Sequence, residues 1–525
     1  MNRYIKLFLL TVPIAFCKEL SAQAGPYWAT DVAPILYANC TSCHNPNGIA
    51  PFSLLTYGDA VSQATDIKTE VTARRMPPWP PDTNYTRFMH ERVLSATQIQ
   101  TLSDWVDNGL QQGNLSQAPA PPVYSSSAVI QNPDLTLQIP TYTVNAATDL
   151  YRCFVLPTGL TQDTYVSKVE VIPGNQNIVH HVLIFQDTTN TCTGLDIADP
   201  GPGYTSNGGG IGSSTATGFA GWAPGGGVYT LPAGFGIKLH ANSKLIIQIH
   251  YPGGTFGQMD STEVRLTFDN GATREVKITP LLSHTNDLIN GPLAIQPNAT
   301  ATFYAHTTTA TNASLLTVTP HMHLIGREMF CFAVDPFGDT IPLISVPNWS
   351  FHWQGSYHYR QLVHIPAGSN IYGQAYYDNT LNNPDNPNNP PQEVQAGEST
   401  TDEMFIVYIS SVAYLPGDEF IVVDSSTLSS VPEVFPSVVQ TLQLYDPYPV
   451  PTNGGTLNVD YFLPGAGAVN LELVDASGKV VRVIHSDQTA AGFNSTAIET
   501  KDLANGAYVV RMTSEGITRT KAIVL

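Results

Sequence analysis

Cys40-Thr41-Ser42-Cys43-His44 sets two thiols and an imidazole at the spacing that attaches a c-type haem. Two such thiols suit the two vinyl groups, and the adjacent imidazole suits one face of the iron. With 6 Cys and 14 His in 525 residues, chance yields this pattern about 0.002 times. A structural disulfide or a zinc half-site is the competing reading. Zinc would need two further ligands nearby, and no second C-x-x-C is present. For the opposite face of the iron, Met76 lies in Arg74-Arg75-Met76-Pro77-Pro78-Trp79, where the prolines fix an extended turn that could hold a thioether still. Met89 and His90 compete with it.

A second chemistry rests on histidines. His180-His181, His250 and His321-Met322-His323 fall in one region, although an HH pair or an H-x-H each arises by chance about 0.4 times. In a strand, residues i and i+2 share a face, so His321 and His323 can point two imidazoles at one ion. His180 and His181 alternate faces in a regular strand, so joint ligation requires a bulge or a strand end. Pro173-Gly174-Asn175 before them and Val182 to Phe185 after them place the pair at a strand start.

The elements that position these residues follow from pattern and composition. At ~150 residues per domain the chain has room for roughly three or four domains. Lys+Arg 23 against Asp+Glu 42 gives a net charge of −19 with only 12% charged residues. That excludes a basic nucleic-acid face and makes long charged helices unfavourable. A hydrophobic fraction of 42% excludes global disorder, and 41 Gly with 40 Pro read as turn-rich β structure. The fold class expected is mainly β: two consecutive jelly-roll-like sandwiches, a small α-helical domain before them and a small β-sandwich after them.

The expected boundaries are a signal peptide over 1–24, a haem domain over 25–116 and a Pro-rich linker over 117–127. Two metal-binding β domains over 128–276 and 277–436 follow, then a last module over 444–525. The leader shows a basic start, an apolar run from Leu7 to Phe16 and the cleavage pattern Ala22-Gln23-Ala24. Cys17 after Phe16 is a poor match to a lipoprotein site. Helix is expected over Ala96–Val106, with Ile99, Leu102, Trp105 and Val106 on one face. The Gly-rich tract 201–227 lacks the G-K-[ST] ending of a phosphate loop and reads as surface loop.

Cys40 to Gly109 resembles small cytochrome c modules fused to secreted bacterial oxidoreductases, in which Met-Pro-Pro-Trp supplies the distal ligand. Residues ~130–435 resemble the type II copper, ascorbate-dependent monooxygenases, the group of peptidylglycine α-hydroxylating and dopamine β-monooxygenases. Five ordered matches carry that resemblance: Asp149-Leu150-Tyr151-Arg152-Cys153, Val179-His180-His181-Val182-Leu183, Gln248-Ile249-His250-Tyr251, Pro320-His321-Met322-His323-Leu324-Ile325-Gly326 and Thr401-Asp402-Glu403-Met404. The resemblance implies an electron-transfer copper on His180, His181 and His250, and a catalytic copper on His321, His323 and Met404. A thioether favours Cu(I), the state that must meet dioxygen. It also implies a Cys153–Cys192 disulfide, with Cys331 unpaired.

The chain departs from the family at the substrate. Peptide-amidating members hold a substrate carboxylate with an arginine two residues before H-x-H, where this chain has Thr319, and with an asparagine where it has Ile406; Tyr408 keeps the family's tyrosine. An anionic C-terminal glycine lacks its clamp. Trp349, Phe351, His352, Trp353, Tyr357 and Tyr359 read as β core that could also line a substrate or electron path. His90, His240, His284, His306, His358, His364 and His485 read as structural or surface residues. The last ~80 residues resemble the sorting domain of the type IX secretion system.

The function expected is a secreted copper monooxygenase that hydroxylates a substrate C–H bond with O₂. Its cofactors would be two copper ions and one covalent c-type haem on Cys40, Cys43, His44 and Met76. Ascorbate or another external donor would supply electrons, directly or through the haem. The expected partners are a small-molecule or peptide substrate, O₂ and the type IX machinery, with no nucleic acid and no transmembrane segment. A non-catalytic haem/copper electron-transfer or copper-binding protein is the alternative.

Overall fold

The computed structural model describes residues 25–124, 128–206, 210–224, 226–423, 442–444, 447, 455–463, 466–489 and 492–525. The expected leader over 1–24 and its Cys17 lie outside the described residues, as do 424–436 at the end of the second copper region and Tyr448–Asn453 of the last module. The chain is mainly β, with several sheets and a few helices near its N-terminus. It divides into two units: one holds 53–76, 94–122 and the described residues up to Thr41, and the other holds 42–52, 77–93 and the chain from Val123 onward.

The first unit is helical. Ala33–Asn39, Tyr57–Ser62, Ala64–Thr72 and Ala96–Asp107 are its α-helices. Two begin with reciprocal capping boxes, Thr56 with Asp59 and Ser95 with Gln98, which satisfy backbone N–H groups left over at a helix start. Leu102 and Trp105 are buried as the 3.6-residue period requires. The Trp105 indole donates to Gln111 O at 3.0 Å.

In the second unit one sheet takes the order Leu135–Gln138, Glu263–Phe268, Thr164–Ile172, Phe235–Leu239, Arg274–Ser283, Ile406–Ala413, Ala313–His321 and Tyr357–Ile365. Another takes the order Tyr204–Ser206, Leu150–Pro157, Lys244–Tyr251, His181–Asp187 and Thr217–Trp222. Phe154, Ile184, Phe219 and Leu245 from the latter share a core with Val166, Ile237 and Leu266 from the former. A third sheet, Ala299–Thr308, Asn370–Asn379, Gly326–Val334 and Thr340–Val346, supplies Phe303, Tyr377 and Met329 to a second core with Val318 and Phe405. Two small sheets over Gln443–Leu444 and Thr456–Val524 share a separate core around Leu457, Leu471 and Val510.

Three features differ from the sequence reading. Arg274–Ser283 runs unbroken across the expected boundary at 276/277: Arg274–Val276 pairs in parallel with Phe235–Ile237, and Lys277 onward pairs antiparallel with Ile406–Ser411. No glycine or proline interrupts it before Pro280. The Gly-rich tract is not all loop, because Tyr204–Ser206 and Thr217–Trp222 add strands to the five-stranded sheet. There Gly218 brings its backbone close to Ile278, whose Cγ2 would lie 3.2 Å from an added Cβ.

The third difference concerns 77–93, expected within the haem domain but packed into the second β core. Phe88 is fully buried there, Trp79 meets Tyr357 edge-on at 5.4 Å, and Tyr85 meets Phe330 at 4.9 Å. Asp82 N donates to Ser345 O and Met89 N to His358 O, both at 2.8 Å. Packing of three aromatic rings outweighs proximity in sequence.

Candidate metal centres

His180, His181 and His250 form one cluster. His250 pairs in register with His181 across adjacent strands, and His180, one residue before its strand begins, donates its backbone N–H to His250 O at 2.9 Å. This is the strand-start geometry that lets two consecutive histidines face the same point. His180 Nδ1 lies 3.1 Å from His181 Nδ1 and 3.2 Å from His250 Nδ1. Imidazole nitrogens so spaced surround a first-row transition ion with metal–nitrogen bonds of ~2.0–2.1 Å. Tyr151 stacks on His250 at 4.3 Å and 7°, fixing the ring plane. Burial, then the charges of His250 and His352, pushes the His180 imidazole down to about 4, and burial holds His181 well below its usual range. Both rings are therefore neutral near pH 7, the form that ligates metals.

Asp149 Oδ2 lies 3.6 Å from His250 Nε2, a buried nitrogen with no hydrogen-bond partner. Its carboxyl is held down to about 2 by the His250 ring, with the Gly253 N–H acting in the same sense.

The second group sits where Ala313–His321 ends beside Ile406–Ala413. His321 and His323 rings lie 5.1 Å apart and nearly perpendicular. His321 Nδ1 is 2.6 Å from Gln354 Oε1, and His323 Nδ1 is 3.1 Å from Asp402 O. An oxygen acceptor on each Nδ1 selects the tautomer that leaves Nε2 free as a ligand. Burial pushes His321 down to about 3, helped by the neighbouring His323 charge.

Glu403 holds the loop. Its carboxylate accepts from His323 N and Ile325 N at 2.8 Å and from Gly326 N and Met404 N at 3.1 Å. Met404 is buried beside it, and its carbonyl accepts from Tyr377 Oη at 2.7 Å.

Sequence reasoning missed Gln354 and Glu403, which act through contacts distant in sequence. It also set aside His284, whose N donates to Phe405 O at 2.8 Å and whose Nδ1 accepts from Phe405 N at 3.3 Å. An amide N–H can only donate, so that Nδ1 carries no proton. Of the aromatic group, Trp349, Phe351, Tyr357 and Tyr359 are buried, whereas His352 is exposed. Thr319, at the expected arginine position, pairs with Tyr408 and donates to Ser356 Oγ at 2.9 Å.

The expected Cys153–Cys192 bridge is absent: both cysteines are free and buried in a small cluster with Tyr204 and Ile246. Cys153 Sγ instead points to Ser206 Oγ at 3.3 Å. Cys331 is free and buried.

At the haem motif, Cys40 follows the helix Ala33–Asn39, and Cys40 and Cys43 are both half-buried. His44 Nδ1 lies 3.2 Å from Phe52 O, and the two rings contact at 4.6 Å. That carbonyl orients the imidazole and leaves Nε2 available to a metal. Met76 is half-buried after the helix Ala64–Thr72, its N 3.4 Å from Glu70 O.

Residues 135–254 match the copper type II ascorbate-dependent monooxygenase, N-terminal domain, and residues 447–525 match the secretion system C-terminal sorting domain. The chain thus carries a copper monooxygenase N-terminal domain, with His180, His181 and His250 inside it. The sorting domain marks the chain for type IX export to the cell surface or medium. Among the described residues no helix is long and apolar enough to cross a membrane.

No curated protein matches the chain. Among solved structures it is similar to a β-glucuronidase of Faecalibacterium prausnitzii at 12% identity, covering 42% of this chain and 36% of that one with a TM-score of 0.12. PNGF-II shows 9% identity over 53% of this chain and 66% of its own, TM-score 0.25. A DUF4785 family protein of Legionella pneumophila shows 11% identity over 74% and 99%, TM-score 0.12. The chain thus spans 36% of the first and 66% of the second of these structures.

Proposed function

We propose that this chain is a secreted copper-dependent monooxygenase that hydroxylates a substrate C–H bond with O₂. The observation that carries the reading is the convergence of the His180, His181 and His250 Nδ1 atoms within a matched copper monooxygenase domain. His180, His181 and His250 would hold one copper, and His321, His323 and Met404 the other. Copper at these positions supplies one-electron redox chemistry and the activation of O₂.

The protein's own contribution is orientation and neutrality. Gln354 and the Asp402 carbonyl present the Nε2 atoms of His321 and His323, Glu403 holds their loop, and burial keeps the imidazoles uncharged. The domain arrangement proposed is two copper-binding β-sandwiches joined within the strand Arg274–Ser283, which gives Val276 to one core and Leu282 to the other.

Electrons would come from ascorbate or through a covalent haem that Cys40 and Cys43 would attach and His44 and Met76 would hold. The His44–Phe52 contact supports this part of the reading. Thr319 offers a hydroxyl where a carboxylate clamp would need a guanidinium, which favours neutral or cationic substrates.

The test is O₂ uptake by the copper-loaded protein with ascorbate and a panel of small amines, alcohols and peptides. Uptake that rises with one class of substrate and is lost in Met404→Ala is the expected result. Uptake indifferent to both would contradict catalysis and leave a haem/copper electron-transfer or copper-binding protein.

A further inference from the structure

We propose that the segment Trp349–Gln354 couples the two histidine groups, with the Phe351 and His352 rings as the route for one electron between them. The proposal rests on the two-copper reading above.

One short segment touches both groups. At one end, the Trp349 indole donates to His323 O at 3.1 Å, and Gln354 Oε1 lies 2.6 Å from His321 Nδ1. Gln354 Nε2 donates back to Phe351 O at 2.9 Å, tying the turn to itself. The Phe351 ring meets His323 edge-on at 6.0 Å, then His352 at 5.9 Å, and His352 meets His180 edge-on at 6.2 Å.

Rings in sequence form a continuous path of bonds and close contacts, through which an electron tunnels more readily than across a gap of water. Trp349 and Phe351 are buried, which keeps that end of the path dry. His352 is exposed, so its substitution leaves the core packing intact.

The step moves one electron and no atom. His180, His181 and His250 would hold the copper that gives up the electron, His321, His323 and Met404 would hold the one that accepts it, and ascorbate would replace the electron lost.

The experiment uses the full-length protein loaded with Cu(II), mixed with one electron equivalent of ascorbate and freeze-quenched. Electron paramagnetic resonance then follows how the remaining Cu(II) signal redistributes between the sites. His352→Ala and Phe351→Leu are expected to slow redistribution about tenfold or more, equivalent to ~1.4 kcal/mol of barrier. Copper count and the hyperfine pattern of each site should not change, and His352→Phe, which keeps a ring, should recover most of the rate. Wild-type redistribution in both variants overturns the route, as does a slow rate that His352→Phe fails to recover. Fewer than two coppers in the wild-type protein overturns the two-copper reading and the route with it.

Discussion

Gln354 Oε1 lies 2.6 Å from His321 Nδ1, although 33 residues separate them. The Gln354 amide nitrogen is committed to Phe351 O, so its oxygen faces the imidazole and His321 Nδ1 is the donor. That bond fixes the ring with Nε2 as the free ligand atom.

Gln354→Ala should therefore weaken copper at the second group by ~10–100-fold, the usual cost of losing a partner that orients a ligating histidine. Copper at His180, His181 and His250 should be retained. Equilibrium dialysis with metal analysis measures both, and an unchanged second affinity would contradict the role assigned to Gln354.

Glu403 predicts a stability effect. Its two oxygens accept four backbone N–H groups from His323, Ile325, Gly326 and Met404, all within the buried loop. Glu403→Gln turns an NH₂ toward two of those donors. With ~1–3 kcal/mol for a buried group left unpaired, the loss should be about 2–4 kcal/mol. Denaturant unfolding of the metal-free protein checks this; an unchanged midpoint would show that the loop stands without the carboxylate.

Arg274 and Asp418 carry a pH dependence remote from the histidines. Arg274 meets Asp418 with two bonds of 2.6 and 2.7 Å, and Ser314 Oγ donates at 2.6 Å. Burial works to raise the Asp418 carboxyl, but the Arg274 and Ser314 donors prevail and hold it down to about 2. A carboxyl below its ordinary 3.8 gives stability that is present above that pH and is lost as pH falls toward 2. Wild-type protein should lose ~1–2 kcal/mol more than Asp418→Asn between pH 4.5 and about 2. Parallel losses in the two proteins would contradict it.

The substrate prediction concerns charge. Peptides ending in a free glycine carboxylate should support no more O₂ uptake than their amides, because Thr319 offers no cation. Thr319→Arg should shift that preference toward the carboxylate by about tenfold, ~1.4 kcal/mol. A wild-type preference for the carboxylate would point to a clamp elsewhere.

The parts legible in the sequence were those written locally. His180-His181 before Val182-Leu183-Ile184-Phe185 announced a strand start, and the cluster with His250 followed once the strands paired. The helix Ala96–Asp107 was written in the period of Ile99, Leu102, Trp105 and Val106. What escaped depends on contacts between distant segments: Gln354 with His321, Glu403 with the 323–326 backbone, His284 with Phe405. None has a spacing rule. Trp79, Tyr85 and Phe88 lie in a stretch that reads as part of the helical module, yet their rings pack against Tyr357, Phe330 and Tyr359. The glycines of 217–222 hid a strand because composition there favours loop, while pairing with Val182–Gln186 decides otherwise.

Copper counting on three proteins tests the central claim most directly. Purified wild-type protein titrated with copper should bind two ions per chain, with His250→Ala and His323→Ala each retaining one. A single ion in the wild-type protein, or a count that neither substitution lowers, would contradict the two-centre account.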